Sequence, residues 1–282
     1  MLIFCYASSS LGNLYRVVSD SFRTQLLIEC GLPIKDIRKC LGTQMNKIDG
    51  VLVSHEHKDH SKAIHEFLKV GIDIYTSKGT LTAIRAEKSP YIHFCESGKV
   101  INIGDITVLP FKTNHDATEP LGFVLRDTED IVLFATDTYN IEYFINGVTK
   151  LMIECNHSYE IIDKKVAAGT LDKKRAERLI RSHFSFENLK NWLKRNDLTG
   201  LKEIYLLHLS KTNANPVQFR KEIEELTGVP TYIADENILK TGNYYRTSAS
   251  WELVPKTSDM GRFFGKSFRE TFKGELDDEE DF

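Results

Sequence analysis

The sequence predicts an α/β fold: two mixed sheets flanked by helices, in one large domain over residues 1–240. Apolar runs of strand length alternate with stretches of helical spacing from residue 1 to residue 234. The 282 residues are 41% hydrophobic with seven prolines, enough to bury a substantial core as one unit. No apolar stretch approaches the length of a membrane span, so this hydrophobic content goes to the core and no membrane partner is expected.

Strand-like runs at 1–6, 14–19 and 24–29 come first, each rich in Leu, Ile, Val or Tyr. The segment 33–41 is helix-like and opens on Pro33, whose fixed φ suits a first helical turn. The strand 49–53 follows, then a polar turn. Ala63, Ile64, Phe67 and Leu68 recur at helical spacing, which predicts a helix over 60–70 with Asp59 and His60 at its start. Strand runs return near 72–76, 99–111, 121–126, 130–136 and 149–154, and helical patterns occupy much of 158–196. A strand 203–208, a helix 215–226 and a strand 230–234 close the unit. Residues 241–273 read as a C-terminal extension and 274–282 as an acidic, disordered tail.

Five cysteines, at 5, 30, 40, 95 and 155, are odd in number and lack close paired spacing, which argues against a disulfide framework or a thiolate zinc site. They read as small buried hydrophobes. The start, Met1-Leu-Ile-Phe-Cys, has no basic region before its short apolar run and so is not a signal peptide. A cytoplasmic protein is the expectation.

The run Val51-Leu-Val-Ser-His55-Glu-His57-Lys-Asp59-His60 places three imidazoles and a carboxylate directly after an apolar stretch. His55 and His57 are two residues apart, so in an extended loop both rings can converge on one cation, while Asp59 and His60 turn toward a neighbouring position. Imidazole nitrogen and carboxylate oxygen are the ligand set of zinc, manganese or iron. The helical zinc-protease motif, with histidines four apart, is excluded by this spacing. Any one of these residues could belong to an ordinary polar turn, but all four together point to a metal site. H-x-H-x-D-H is the signature of the metallo-β-lactamase superfamily, which this chain resembles. The resemblance implies an αββα sandwich and two divalent metal ions, zinc or manganese.

It also implies where the remaining ligands lie. His115, in a turn-rich segment between two strand-like runs, would join His55 and His57 on the first ion. Asp137, at the end of the apolar run Ile131-Val-Leu-Phe-Ala-Thr136, would bridge both ions. His208, after Tyr205-Leu-Leu, would join Asp59 and His60 on the second. Taken singly, Asp137 and His208 could equally be turn residues.

Finer segments resemble one branch, the YycJ/WalJ group of bacterial exonucleases, with RNase Z a more distant relation. They are Ser8-Ser-Ser-Leu11-Gly12-Asn13, Leu27-Ile-Glu29-Cys30-Gly31, His115-Asp116-Ala117 with Glu119-Pro120-Leu-Gly122, Glu154-Cys-Asn156-His157 and His208-Leu-Ser. Departures occur at Glu29, where the branch has Asp, at Leu11, and at Ser182-His183-Phe184-Ser185, where it has G-H-L-S. None removes a ligand.

The branch implies 5′-to-3′ hydrolysis of DNA by a metal-activated hydroxide, with a role in DNA repair. Divalent ions bring the pKa of a bound water from ~15.7 toward ~7, giving a nucleophile at neutral pH. Asp59 would serve catalysis as well as binding. Glu154 and His183 match the positions that assist the leaving group in RNase Z relatives, and Asn156 and His157 would line the pocket or orient these groups. The segment 164–195 carries ten Lys or Arg against three acids, including Lys173, Lys174 and Arg175. As a solvated helix face it needs no function; around His183 it suits a phosphate backbone. The rival reading is a small-molecule hydrolase of the same fold, above all a cyclic-nucleotide phosphodiesterase. The tail Gly274-Glu-Leu-Asp-Asp-Glu-Glu-Asp-Phe282 resembles the acidic, Phe-terminated tip of single-strand-binding proteins, which suggests docking to a repair or replication protein. Without its six acids the formal charge goes from −3 to +3.

Overall fold

The computed structural model describes residues 1–86, 88–143 and 145–234; the expected extension 241–273 and acidic tail 274–282 lie outside the described residues. The first half of the chain runs β1 (Leu2–Ser9), β2 (Gly12–Val18), β3 (Gln25–Ile28), α1 (Ile34–Leu41), β4 (Gly50–Leu52), α2 (Lys58–Ser61), α3 (Ile64–Lys69), β5 (Ile74–Thr76), α4 (Lys78–Ile84) and β6 (Ile92–Phe94). These six strands form one sheet in sequence order, antiparallel from β1 to β3 and parallel from β3 to β6.

The second half runs β7 (Ile101–Ile103), β8 (Ile106–Lys112), β9 (Leu121–Arg126), β10 (Ile131–Ala135), β11 (Lys150–Glu154), α5 (Tyr159–Ala167), α6 (Lys173–Ser182), α7 (Phe186–Arg195), β12 (Glu203–Leu207), α8 (Pro216–Thr227) and β13 (Thr231–Ile233). Its seven strands make a second sheet, antiparallel from β7 to β10 and parallel from β10 to β13.

Alternation along the strands produces the layering, because successive side chains leave a strand on opposite faces. Leu26, Ile28 and Leu52 meet Phe123, Val132, Phe134 and Leu207 between the sheets. Their neighbours Leu27, Val51 and Val53 face outward under Ile37, Ile64, Phe67 and Leu81. On the far side Leu133, Leu151, Ile153 and Leu206 pack beneath Phe186, Leu189, Trp192, Phe219 and Ile223. The result is the expected αββα sandwich. All five cysteines are buried and none is in a disulfide among the described residues, where no helix is long and apolar enough to cross a membrane.

Several elements differ from the sequence reading. The run 99–111 is a hairpin, because Gly104 turns the chain at φ 58° between β7 and β8. The expected helix 60–70 is split into α2 and α3 at residues 62–63, where Ala63 N–H donates to the Cys30 carbonyl. Helix α4 does not stand out in the sequence pattern, although Ser77 caps it by accepting from the Thr80 N–H. The three-residue edge strand β6 is too short to show a period.

The parallel strands bring the chemistry to one end of the sandwich. Chains leaving β4, β10, β11 and β12 reach His55, Asp137, Glu154 and His208 within a few residues, all at the carboxyl ends of their strands. Asp137 and His208 take positive φ, 45° and 51°. Non-glycine residues in this region cost ~1–3 kcal/mol each, a strain that a surrounding site must hold in place. Gly31 packs against the signature turn so closely that a Cβ there would sit 1.7 Å from the Asp59 carbonyl oxygen. The same turn is pinned by Cys30 N–H donating to the His60 carbonyl at 2.8 Å.

Candidate metal centre

His55 Nε2 and His115 Nε2 lie 3.1 and 3.2 Å from His57 Nδ1. Asp137 Oδ2 stands 3.5 Å from His115 Nε2 and 3.9 Å from His55 Nε2. Ligand atoms held ~2.0–2.1 Å from one tetrahedral ion stand ~3.3 Å apart, which is close to this spacing. Outer contacts aim the rings. His55 Nδ1 meets Ser54 Oγ at 2.8 Å, and His115 Nδ1 lies 2.8 Å from the Ser182 carbonyl, so its N–H donates there and Nε2 offers a lone pair inward.

The same Asp137 Oδ2 is 3.4 Å from His60 Nε2, which is 3.5 Å from Asp59 Oδ2. His208 Nε2 lies 3.6 Å from Asp59 Oδ2 and has no hydrogen-bond partner despite its burial. Thus His55, His57, His115 and Asp137 form one donor group, Asp59, His60, Asp137 and His208 a second, and Asp137 belongs to both.

The electrostatics suit cations. Burial and the charge of His60 hold His55 well below the usual histidine pKa, and burial lowers His115, which leaves lone pairs free for coordination. Burial works against the His208 imidazolium too, but Asp137, Asp59 and Glu154 outweigh it and push His208 up to about 10. Burial likewise opposes ionisation of Asp137, yet His208 and His60 hold it well below the carboxylate range. A buried cluster this rich in carboxylate holds positive charge, as protons or as metal. The donor set, its spacing and the unpartnered His208 nitrogen fit divalent ions.

A third group joins Asp137 and His208 to Glu154 and His183. Glu154 is fully buried and accepts at Oε2 from the backbone N–H groups of Thr138 and Phe184, at 2.9 and 3.1 Å. Its Oε1 lies 2.6 Å from His183 Nδ1. Burial disfavours the His183 imidazolium, but Glu154 overrides it and raises the pKa.

These groups open into a depression of about 270 Å³ whose wall includes His57, Asp59, His115, Asp137, His183 and His208. Ser10, Asp116, Arg175, Arg178, Leu179 and Ser182 complete the lining, and Arg178 pairs with Asp116 at 2.8 Å. In the sequence Arg178 is one of the ten basic residues of 164–195 and Ser10 one position of the branch-like segment 8–13, and neither stands out as a site residue. Arg178 is one helical turn from Arg175 on the same face of α6, a spacing visible once the helix is assumed.

Lys173 and Lys174 are exposed at the start of α6 and do not line the depression. Asn156 is not in the wall of the depression; its Nδ2 donates to the His208 carbonyl at 2.8 Å, not to Glu154 or His183. His157 is fully buried, bridged to Ser185, with neither ring nitrogen hydrogen-bonded. His93 pairs with Asp73 at the sheet edge, away from these groups.

Residues 24–184 match the family model described as beta-lactamase superfamily domain. The chain is 31% identical over 224 residues to exodeoxyribonuclease WalJ of Streptococcus pneumoniae serotype 2, covering 73% of this chain and 81% of that protein. It is 30% identical over 168 residues to exodeoxyribonuclease YycJ of Bacillus anthracis, covering 55% and 63%. Among solved structures, the metallo-β-lactamase fold protein YhfI from Bacillus subtilis superposes with a TM-score of 0.66 at 18% identity, over 83% of this chain and 97% of that one. With the sandwich and its paired donor groups already in view, these likenesses establish that the chain belongs to the metallo-β-lactamase superfamily and is a hydrolase of that fold.

Proposed function

We propose that the protein is a DNA exonuclease, acting 5′ to 3′ on phosphodiester bonds with two divalent ions, zinc or manganese. The observation that carries this reading is the sharing of Asp137 between two donor groups in a depression lined also by Arg175 and Arg178. The exonuclease relatives supply the substrate class.

His55, His57 and His115 would hold one ion and Asp59, His60 and His208 the other, with Asp137 between. Ions so held would supply a nucleophilic water at neutral pH and would neutralise charge developing on the phosphoryl oxygens. The chain's own residues do the rest. Glu154 fixes the His183 ring through Nδ1, which leaves Nε2 on the depression side to hold the proton that a leaving alkoxide needs. Thr138 and Phe184 N–H groups keep Glu154 from rotating away. Asn156 braces His208 through its carbonyl. Arg175 and Arg178 meet the phosphate backbone at the depression, while Lys173 and Lys174 lie farther out as an approach surface. The acidic tail remains a candidate docking peptide for a repair or replication protein.

Metal-loaded protein incubated with 5′- and 3′-end-labelled DNA, labelled RNA and cyclic nucleotides tests the proposal. Progressive release of nucleotides from DNA is the expected result. Efficient cleavage of cyclic nucleotides with intact DNA would replace it with the phosphodiesterase reading.

A further inference from the structure

The proposed chemistry leaves a second depression unused. It also measures about 270 Å³, near the lower end (~300 Å³) of ligand pockets, and its wall includes Tyr139, Asn188, Asn191, Trp192 and Arg195. Positions 188, 191, 192 and 195 of α7 share one helical face by their i, i+3, i+4, i+7 spacing; Trp192 is largely buried with Phe186, Leu189 and Leu193 in the core and reaches the depression only at its edge. That face carries two carboxamides, an indole and a guanidinium, and no acid.

Tyr139 forms the opposite wall. The residue is 42% exposed, and its side chain has neither a ring partner nor a hydroxyl hydrogen bond among the described residues. Its backbone, by contrast, is held on both sides: the N–H donates to the Asn114 carbonyl at 3.1 Å, and Asn188 Nδ2 donates to the Tyr139 carbonyl at 3.3 Å. An aromatic platform fixed at the backbone and bare at the ring is built to be covered by something flat. Arg195 is exposed and makes no ion pair among the described residues, unlike Lys190 on the same helix, which pairs with Glu222 at 2.7 Å.

Tyr139 is two residues beyond Asp137, so at ~3.3–3.6 Å per residue its Cα lies within ~7 Å of the Asp137 Cα. Asp137 lines the metal depression and Tyr139 lines this one, so at these two residues the backbone holds the linings within ~7 Å of each other. Resting on the nuclease reading, we infer that this depression is a base-binding subsite for single-stranded nucleic acid: Tyr139 stacks on the base next to the scissile phosphate, Asn188 and Asn191 meet its polar edge, and Arg195 takes a backbone phosphate. Stacking tolerates any base, since each has a π-face, so the subsite selects unpaired strand over duplex without selecting sequence.

The test measures the affinity of metal-loaded protein for a phosphorothioate single strand by fluorescence anisotropy, together with turnover of a normal strand and of bis(4-nitrophenyl) phosphate, which is too small to span both sites. Tyr139→Ala is expected to weaken strand affinity about 5- to 150-fold, the range of one base-aromatic stack. Tyr139→Phe should restore it, because the stack is made by the ring and not by the hydroxyl, and Arg195→Ala should weaken binding with a shallower salt dependence. The loss on the strand should exceed any loss on the small diester. Unchanged strand affinity in Tyr139→Ala, or equal losses on both substrates, would overturn the inference. Failure of the wild-type protein to cleave any nucleic acid would instead overturn the nuclease reading.

Discussion

His183 Nδ1 lies 2.6 Å from Glu154 Oε1, and Glu154 is itself anchored by two backbone N–H groups, so one ring nitrogen is committed and the other is left to the depression. Replacing His183 by Ala should lower kcat by about 10²–10⁴, the usual contribution of a positioned acid or base, with little change in strand affinity. Glu154→Gln keeps the shape but not the charge and should fall between. Steady-state kinetics separate kcat from KM. A loss confined to KM in His183→Ala would assign this ring to binding.

Arg175 and Arg178 line the metal depression, whereas Lys173 and Lys174 do not. Reversal of the two arginines to Glu should therefore weaken DNA binding more than reversal of the two lysines. For every phosphate the protein no longer neutralises, the slope of log K against log salt becomes shallower by ~0.7–0.9. Titrations across a salt series distinguish the pairs, and equal effects would mean that the charge of α6 acts only as a diffuse field.

Gly31 has no room for a Cβ against the Asp59 carbonyl. Gly31→Ala must push the signature turn outward, at a cost of about 1–3 kcal/mol of overpacking. Asp59 and His60 move with it. Thermal unfolding and metal content measured on one preparation should both fall, and normal values for both would show that the turn tolerates displacement.

Far from the site, Asp130 is buried between the N-terminal ammonium, Lys150 at 3.6 Å and Lys202 at 3.2 Å. Burial raises its pKa, but Lys150, the N-terminal ammonium and Lys202 outweigh burial and lower it from 3.8 to about 2. A depressed carboxyl pKa stabilises the fold above the unfolded value, so this contribution is full above about pH 4 and is lost as pH falls toward about 2. Asp130→Asn should cost about 2 kcal/mol at neutral pH and flatten the acid limb of the stability profile over that window. Denaturant unfolding at several pH values reads both effects; parallel wild-type and variant profiles would contradict the assignment.

Those residues that are close in sequence were legible: His55, His57, Asp59 and His60 fall in one turn, and their density alone marks a metal site. Asp137 and His208 look like turn residues until the fold brings the ends of β10 and β12 to one side of the sandwich, and only the family resemblance gave their order meaning. Asn156 was legible as a pocket or orienting residue, but its bond to the His208 carbonyl and the places of Arg178 and Ser10 in the lining were not, because each depends on which way a helix face, a hairpin tip or a strand end points. The same holds for Tyr139 and α7, which are 49 residues apart where Asn188 meets the Tyr139 carbonyl and come together only through tertiary packing. Local errors had local causes. Gly104 divided one apolar run into two strands, and β6 is too short for alternation to register.

Everything proposed for this centre depends on Asp137 serving two ions at once. Elemental analysis of metal-replete protein addresses that dependence without intermediaries, comparing wild type with Asp137→Ala and with Asp59→Ala. Two divalent ions per chain are expected in wild type, fewer than two in Asp59→Ala with the His55, His57 and His115 ion retained, and loss at both positions in Asp137→Ala. Fewer than one ion per chain in the wild-type protein, or two ions retained without Asp137, would contradict a shared carboxylate.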